Sequence, residues 1–154
     1  MIGEKLCFAI VFAAEAMIAW LYFEYILNRK KMLHILIFSL GIGYVSLFMF
    51  SFLDNTTINA IMFYVVNYNF IRQNYSCSIK MALLHSSFLC FAMVGAEVLV
   101  ALWLGIYGYE FSAYTNDYCA MIALAILSKL LYLLFSVIGS RIFAPHKCIN
   151  EEPK

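Results

Sequence analysis

The chain has 154 residues, of which 65% are hydrophobic and 12% charged, with a mean hydropathy of +0.87 and a formal net charge of +1. Soluble domains average about 45–50% apolar and about 25% charged residues, so a water-soluble fold of this length could not cover its own apolar surface and lipid must be the solvent for most of it. No nucleic-acid partner is expected, because no basic stripe is left once the charges are assigned to the connections between apolar runs.

The first run, about 6–27, predicts a membrane crossing. It is too long for the apolar core of a cleaved leader, it contains Glu15 and Glu24, and the basic residues Arg29, Lys30 and Lys31 follow it rather than precede it. A second crossing is expected over 33–53, with Gly41 and Gly43 available for close helix packing. The third run, 58–71, is short, since a helix of that length rises only about 21 Å against a hydrocarbon core of about 30 Å. A re-entrant segment is one way to accommodate it, but that would place Arg72 and Lys80 on the side of Asp54. Extension back to Asn55 gives a crossing over 55–71 with some local thinning, which keeps the charge alternation intact. Crossings over 81–106 and 118–140 complete the set. The predicted fold is an all-α, polytopic membrane bundle of about five helices, one sensor-like domain over 1–145, with a cytoplasmic tail over 146–154.

The connections alternate in charge. Arg29, Lys30, Lys31, Arg72, Lys80, Arg141 and Lys147 fall in three of them, while Asp54, Glu110 and Asp117 fall in the other two. Basic connections resist translocation, so the expected orientation puts the N-terminus outside and the C-terminus in the cytoplasm of a multi-pass cell-membrane protein. Tyr107, Tyr109, Phe111, Tyr114 and Tyr118 then gather at the outer end of the last hairpin, where an aromatic belt is expected.

Ionisable groups inside crossings are costly and mark function by default. Counted from the outer ends at about 1.5 Å per residue, Glu15, Glu97 and Lys129 lie roughly 14–16 Å deep, and Asn67 lies at a similar level. These four form a polar mid-membrane layer. Glu97 and Lys129 are on adjacent antiparallel helices and are expected to pair, either to fix helix packing or to line a pocket open from outside. No second cation is left at that depth for Glu15, which is expected to be protonated, hydrogen-bonded to Asn67, or in a wet cavity; Glu15→Gln should then be mild. Glu24 sits near Arg29 and Lys30 as a boundary salt-bridge partner.

Cys7, Cys77, Cys90, Cys119 and Cys148 are scattered and odd in number, and His34, His85 and His146 lack metal-ligand spacing. No metal, no cofactor and no catalytic constellation is expected, and the chain does not read as an enzyme.

Several features occur in a recognisable order. A basic Asn28-Arg29-Lys30-Lys31 connection is followed by an Asn-flanked third run (Thr57-Ile58-Asn59 through Asn69) and by Ser78-Ile79-Lys80-Met81-Ala82-Leu83-Leu84. A crossing centred on Gly95-Ala96-Glu97-Val98 and the segment Ser128-Lys129-Leu130-Leu131-Tyr132 come last. Over residues 5–145 the chain resembles the N-terminal sensor region of GHKL-type membrane histidine kinases, the peptide quorum-sensing two-component receptors of Gram-positive bacteria related to the accessory-gene-regulator sensor. The resemblance implies a signal-transduction region that binds a small extracellular peptide, with Tyr107, Tyr109, Glu110, Tyr114 and Asp117 as outer contacts. Family sensors have six or seven crossings and continue into a kinase. The chain as given has neither, so either it is truncated before its kinase and acts with a separate kinase partner, or the resemblance is to the membrane part alone; the small-residue faces Ala9/Ala13/Ala16 and Ala92/Ala96 serve either a homodimer or packing within one chain. The alternatives are a small transporter subunit that binds substrate in the polar layer, and a structural membrane protein.

Overall fold

The computed structural model describes residues 2–53, 55–106 and 118–143, with side chains over 8–53, 55–106 and 122–143. Five helices account for nearly all of them: α1 (Ile2–Ile26), α2 (Leu33–Ser51), α3 (Thr56–Asn74), α4 (Ile79–Ile106) and α5 (Tyr118–Phe143). Two short strands, β1 (Asn28–Arg29) and β2 (Tyr75–Ser76), lie in the α1–α2 and α3–α4 connections. The fold is an all-α helical bundle.

Each helix packs against its neighbours in the chain, and α5 closes onto α1, so the helices form a ring in chain order. Pairs such as Tyr44–Asn67 and Ser39–Asn74 set α2 and α3 antiparallel. Lys129–Glu97 and His85–Phe143 do the same for α4 and α5. An odd number of alternating helices leaves the closing pair, α1 and α5, parallel.

The surface of the ring is apolar and much of its polar matter is inside. Phe38 is 70% exposed, Phe91 79% and Ile106 81%, while Glu15, Asn67, Asn74, His85 and Lys129 are buried. That inverts the order of a soluble protein and matches a lipid environment. Four helices are long and apolar enough to cross a membrane, over Phe8–Ile26, Leu33–Ser51, Ile79–Ile106 and Ile122–Phe143.

The fifth helix, α3, is polar rather than short. Its 19 residues equal the length of α2, about 28 Å. Asn55 stops it at one end by accepting from Ile58 N at 3.1 Å, a cap of the kind that contributes about 1 kcal/mol. At the other end it runs three residues past Ile71 to Asn74, which donates to Phe70 O at 2.9 Å and to Ser39 Oγ at 3.1 Å. A re-entrant segment would return to the end it entered, whereas α3 runs back along α2 to the end where α2 begins. Of the two glycines expected to allow close packing, Gly43 does so against Val66 Cγ1, 2.8 Å from where a Cβ would stand, while Gly41 faces open space. Ala92 and Ala96 are buried within the bundle, and Ala9 and Ala13 are exposed.

The strands tie two connections together at one end. Arg29 pairs with Tyr75 and Asn28 with Ser76, and Lys30 N donates to Asn74 O at 2.8 Å. Glu24 anchors the corner by accepting from Trp20 Nε1 at 3.2 Å, Arg29 Nε at 2.9 Å and Tyr75 Oη at 3.2 Å. Burial, and then the Glu24 carboxylate, hold the Tyr75 phenol above its ordinary pKa, so it remains a donor. The hydrogen bond to Glu24 likewise raises the Arg29 guanidinium. The pairing brings the connection carrying Arg29, Lys30 and Lys31 to the same end of the bundle as Arg72 in the last turn of α3, the start of α4 at Lys80 and the end of α5 at Arg141. Glu24→Gln removes an acceptor charge from three donors and should loosen this corner alone. The Lys30 amide is expected to exchange with deuterium about five-fold faster, the effect of one hydrogen bond of about 1 kcal/mol, with α4 and α5 amides unchanged. Uniformly faster exchange across the bundle would mean that Glu24 supports the whole fold instead.

Candidate functional site

Midway along the ring, three charges meet from three helices. Glu15 lies on the inward stripe of α1 with Ala16, Ala19, Tyr22 and Phe23, and Lys129 on that of α5 with Tyr132, Ser136 and Ser140. Glu97 borders the buried row of α4, next to Ala96 and one turn from Met93 and Val100. Lys129 Nζ lies 2.5 Å from Glu15 Oε1 and donates to Glu97 Oε1 at 2.9 Å. The side chains of Glu15 and Lys129 are 5% and 10% exposed, but that of Glu97 is 47% exposed. The triad therefore leads from the surface of the bundle to its interior through one shared ammonium.

The sequence leaves Glu15 without an evident cation and offers Asn67 as one bonding partner; the partner is instead Lys129. Depth along the helices alone assigns Lys129 to Glu97, because α4 and α5 are neighbours in the chain. Ring closure brings α1 to the other side of α5, and one lysine serves two carboxylates. Asn67 bonds to Tyr44 rather than to a member of the triad. It donates to Phe63 O at 2.9 Å and accepts from Tyr44 Oη at 3.4 Å, locking α3 to α2. The remaining expected contacts, Tyr107, Tyr109, Glu110, Tyr114 and Asp117, lie outside the described residues.

Tyr44 and Tyr132 are site residues that sequence reasoning passed over. Both are buried and both interact electrostatically with Glu15. Tyr132 Oη and Glu15 Oε2 are buried without a hydrogen-bond partner. The only signal available beforehand was the spacing Lys129–Tyr132, which places the two side chains on one helix face. With both carboxylates ionised, the triad carries one more negative charge than positive. In a low-dielectric setting that excess favours a cationic group, and the half-exposed Glu97 is where one would arrive.

Among the described residues, no three His, Cys, Asp or Glu side chains converge as metal ligands do. His85 is engaged with Tyr22, its Nδ1 3.0 Å from the Tyr22 hydroxyl. The triad supplies charge that can be redistributed between helices. It contains no nucleophile beside a base. No family model, curated protein or solved structure matches the chain.

Proposed function

We propose that this chain is the membrane-embedded sensing region of a signalling protein, multi-pass in the cell membrane, with its N-terminus outside and the basic connections in the cytoplasm. The observation that carries this reading is the single Lys129 ammonium shared between buried Glu15 and half-exposed Glu97. A signal that engages Glu97 frees Lys129 to bond Glu15 alone, which loosens α4 from α5 and tightens α5 on α1. Such an element changes population with a few kcal/mol of differential binding. The resemblance to peptide-sensing kinase receptors points to an extracellular peptide as the signal and to Tyr107, Tyr109, Glu110, Tyr114 and Asp117 as its first contacts. It also supports action through a kinase partner or a second copy rather than through catalysis by this chain.

The test is the α4–α5 spacing in lipid nanodiscs, read by pulsed electron resonance between spin labels at the exposed positions Leu102 and Ile126 in a cysteine-free background. Glu97→Gln should shift the distance distribution toward the state favoured by the peptide fraction of spent culture medium, and that variant should no longer respond to the fraction. If Glu97→Gln leaves the distances unmoved, and exchanging the two charges (Glu97→Lys with Lys129→Glu) restores wild-type behaviour, the pair only specifies packing and the sensor reading falls.

A further inference from the structure

The parallel contact between α1 and α5 leaves a groove of about 330 Å³ toward the end of the bundle that carries the basic connections. Its walls are mainly apolar, with Leu21 and Tyr25 from α1 and Leu133 and Val137 from α5. Leu21, Tyr25 and Val137 are 53%, 58% and 42% exposed, so the groove opens sideways, where lipid chains lie. Polar groups interrupt it, among them Ser136, Ser140 and Arg141. Ser136 is 3% exposed and its Oγ has no hydrogen-bond partner. Arg141 stands at the rim in the last turn of α5, exposed and without an ion pair among the described residues.

We propose that this groove holds one anionic phospholipid, with an acyl chain along Leu21, Leu133 and Val137 and the phosphate on Arg141. Charge complementarity selects this occupant. The groove has a cation at its headgroup end and no carboxylate in its lining, and the same end of the bundle bears Arg29, Lys30 and Lys31. Basic pockets between membrane helices on the cytoplasmic side recognise anionic headgroups in this way. Its depth suits a lipid as well. From Leu133 to Arg141 the helix rises about 12 Å, enough for a section of one chain, and Ser136 lies about 7.5 Å below Arg141. At that level an ester carbonyl follows its phosphate and would accept from the otherwise unpartnered Ser136 hydroxyl. The volume sits at the lower edge of the range for small-molecule sites, about 300–1,000 Å³, consistent with one chain rather than a whole lipid being enclosed.

Native mass spectrometry of the full chain, released from nanodiscs of equal phosphatidylglycerol and phosphatidylcholine, tests this. One phosphatidylglycerol per chain should be retained in preference to phosphatidylcholine. Arg141→Gln should cut that preference about five-fold, the contribution of one arginine near the headgroup surface, while some lipid of either kind stays bound. Val137→Trp should fill the groove and remove retention of both lipids, with Leu21→Trp as the second variant if the first does not fold. Equal retention of the two lipids by the wild type, or an anionic preference untouched by Arg141→Gln, overturns the proposal. Displacement of the lipid by millimolar inorganic phosphate overturns it too, because the site would then be a bare anion site with no hold on the chain.

Discussion

Lys129→Met should cost about 3–5 kcal/mol of bundle stability, the loss typical of breaking a buried ion pair by removing one partner. The lysine is the only cation of the triad, and its removal leaves Glu15, 5% exposed, beside Glu97 with no positive charge on either. The same logic makes the carboxylates unequal to the lysine. Glu15→Gln leaves Lys129 with Glu97 and can keep a hydrogen bond, so its cost should stay near 1–3 kcal/mol, the range for a charged hydrogen bond weakened rather than orphaned. Glu97→Gln should cost less still, since its side chain is half in contact with its surroundings and its removal leaves Lys129 on Glu15. The order Lys129 > Glu15 > Glu97 is read from reversible unfolding in mixed micelles titrated with sodium dodecyl sulfate. The decisive measurement is the double variant Lys129→Met with Glu15→Gln. If the buried, unpaired Glu15 causes the loss, the double variant should recover most of it. A single Lys129→Met variant within about 1 kcal/mol of wild type would mean that the triad is already neutralised by protons and stabilises little.

The sequence displayed the fold more fully than the site. Long apolar runs separated by charged connections have few solutions in lipid, because every backbone polar group must bond within its own helix. The observed α1, α2, α4 and α5 accordingly lie close to the runs at 6–27, 33–53, 81–106 and 118–140. The third run reads as short because its apolar residues stop at Ile71. Its helix does not stop there, since Arg72, Gln73 and Asn74 continue it at the polar end of the bundle and Asn74 caps onto Ser39 of α2. Apolar length underestimates a helix whose last turn is held by side chains of its neighbour. The site was harder for a different reason. Residue types and depth along each helix can be read from one dimension, and they pointed to Glu15, Glu97 and Lys129. Which helices touch cannot. Only the closing contact between α5 and α1 explains why one lysine satisfies two glutamates, and that contact joins residues more than a hundred positions apart.

Gly139 is the other position where a small change should have a large effect, and the cause is steric rather than electrostatic. A Cβ built there would run into the ring of Phe88 on α4. The ring has little room to yield. It stacks on Tyr22 with centroids 5.5 Å apart and 20° between planes, and meets Phe143 edge-on at 5.4 Å. Tyr22 is in turn held by His85, whose ring packs against Phe143 at 5.4 Å. Four aromatic side chains from α1, α4 and α5 thus pack on one another, and one of them, Phe88, abuts the glycine. Gly139→Ala normally gains up to about 1 kcal/mol from helix propensity, but overpacking a fixed contact costs about 1–3 kcal/mol. The variant is therefore expected to lose stability overall, and Gly139→Val to lose more. Trimming the obstacle should reverse the sign. In a Phe88→Leu background, Gly139→Ala should become neutral or stabilising, which gives a coupling of at least about 1 kcal/mol between the two positions. Additive losses across that cycle would mean that Phe88 moves aside freely and that the aromatic cluster is looser than its ring contacts imply. Coupling of the expected size would make the Gly139–Phe88 contact a fixed point of the bundle, about ten residues along α5 from Lys129, against which any change in the triad must move.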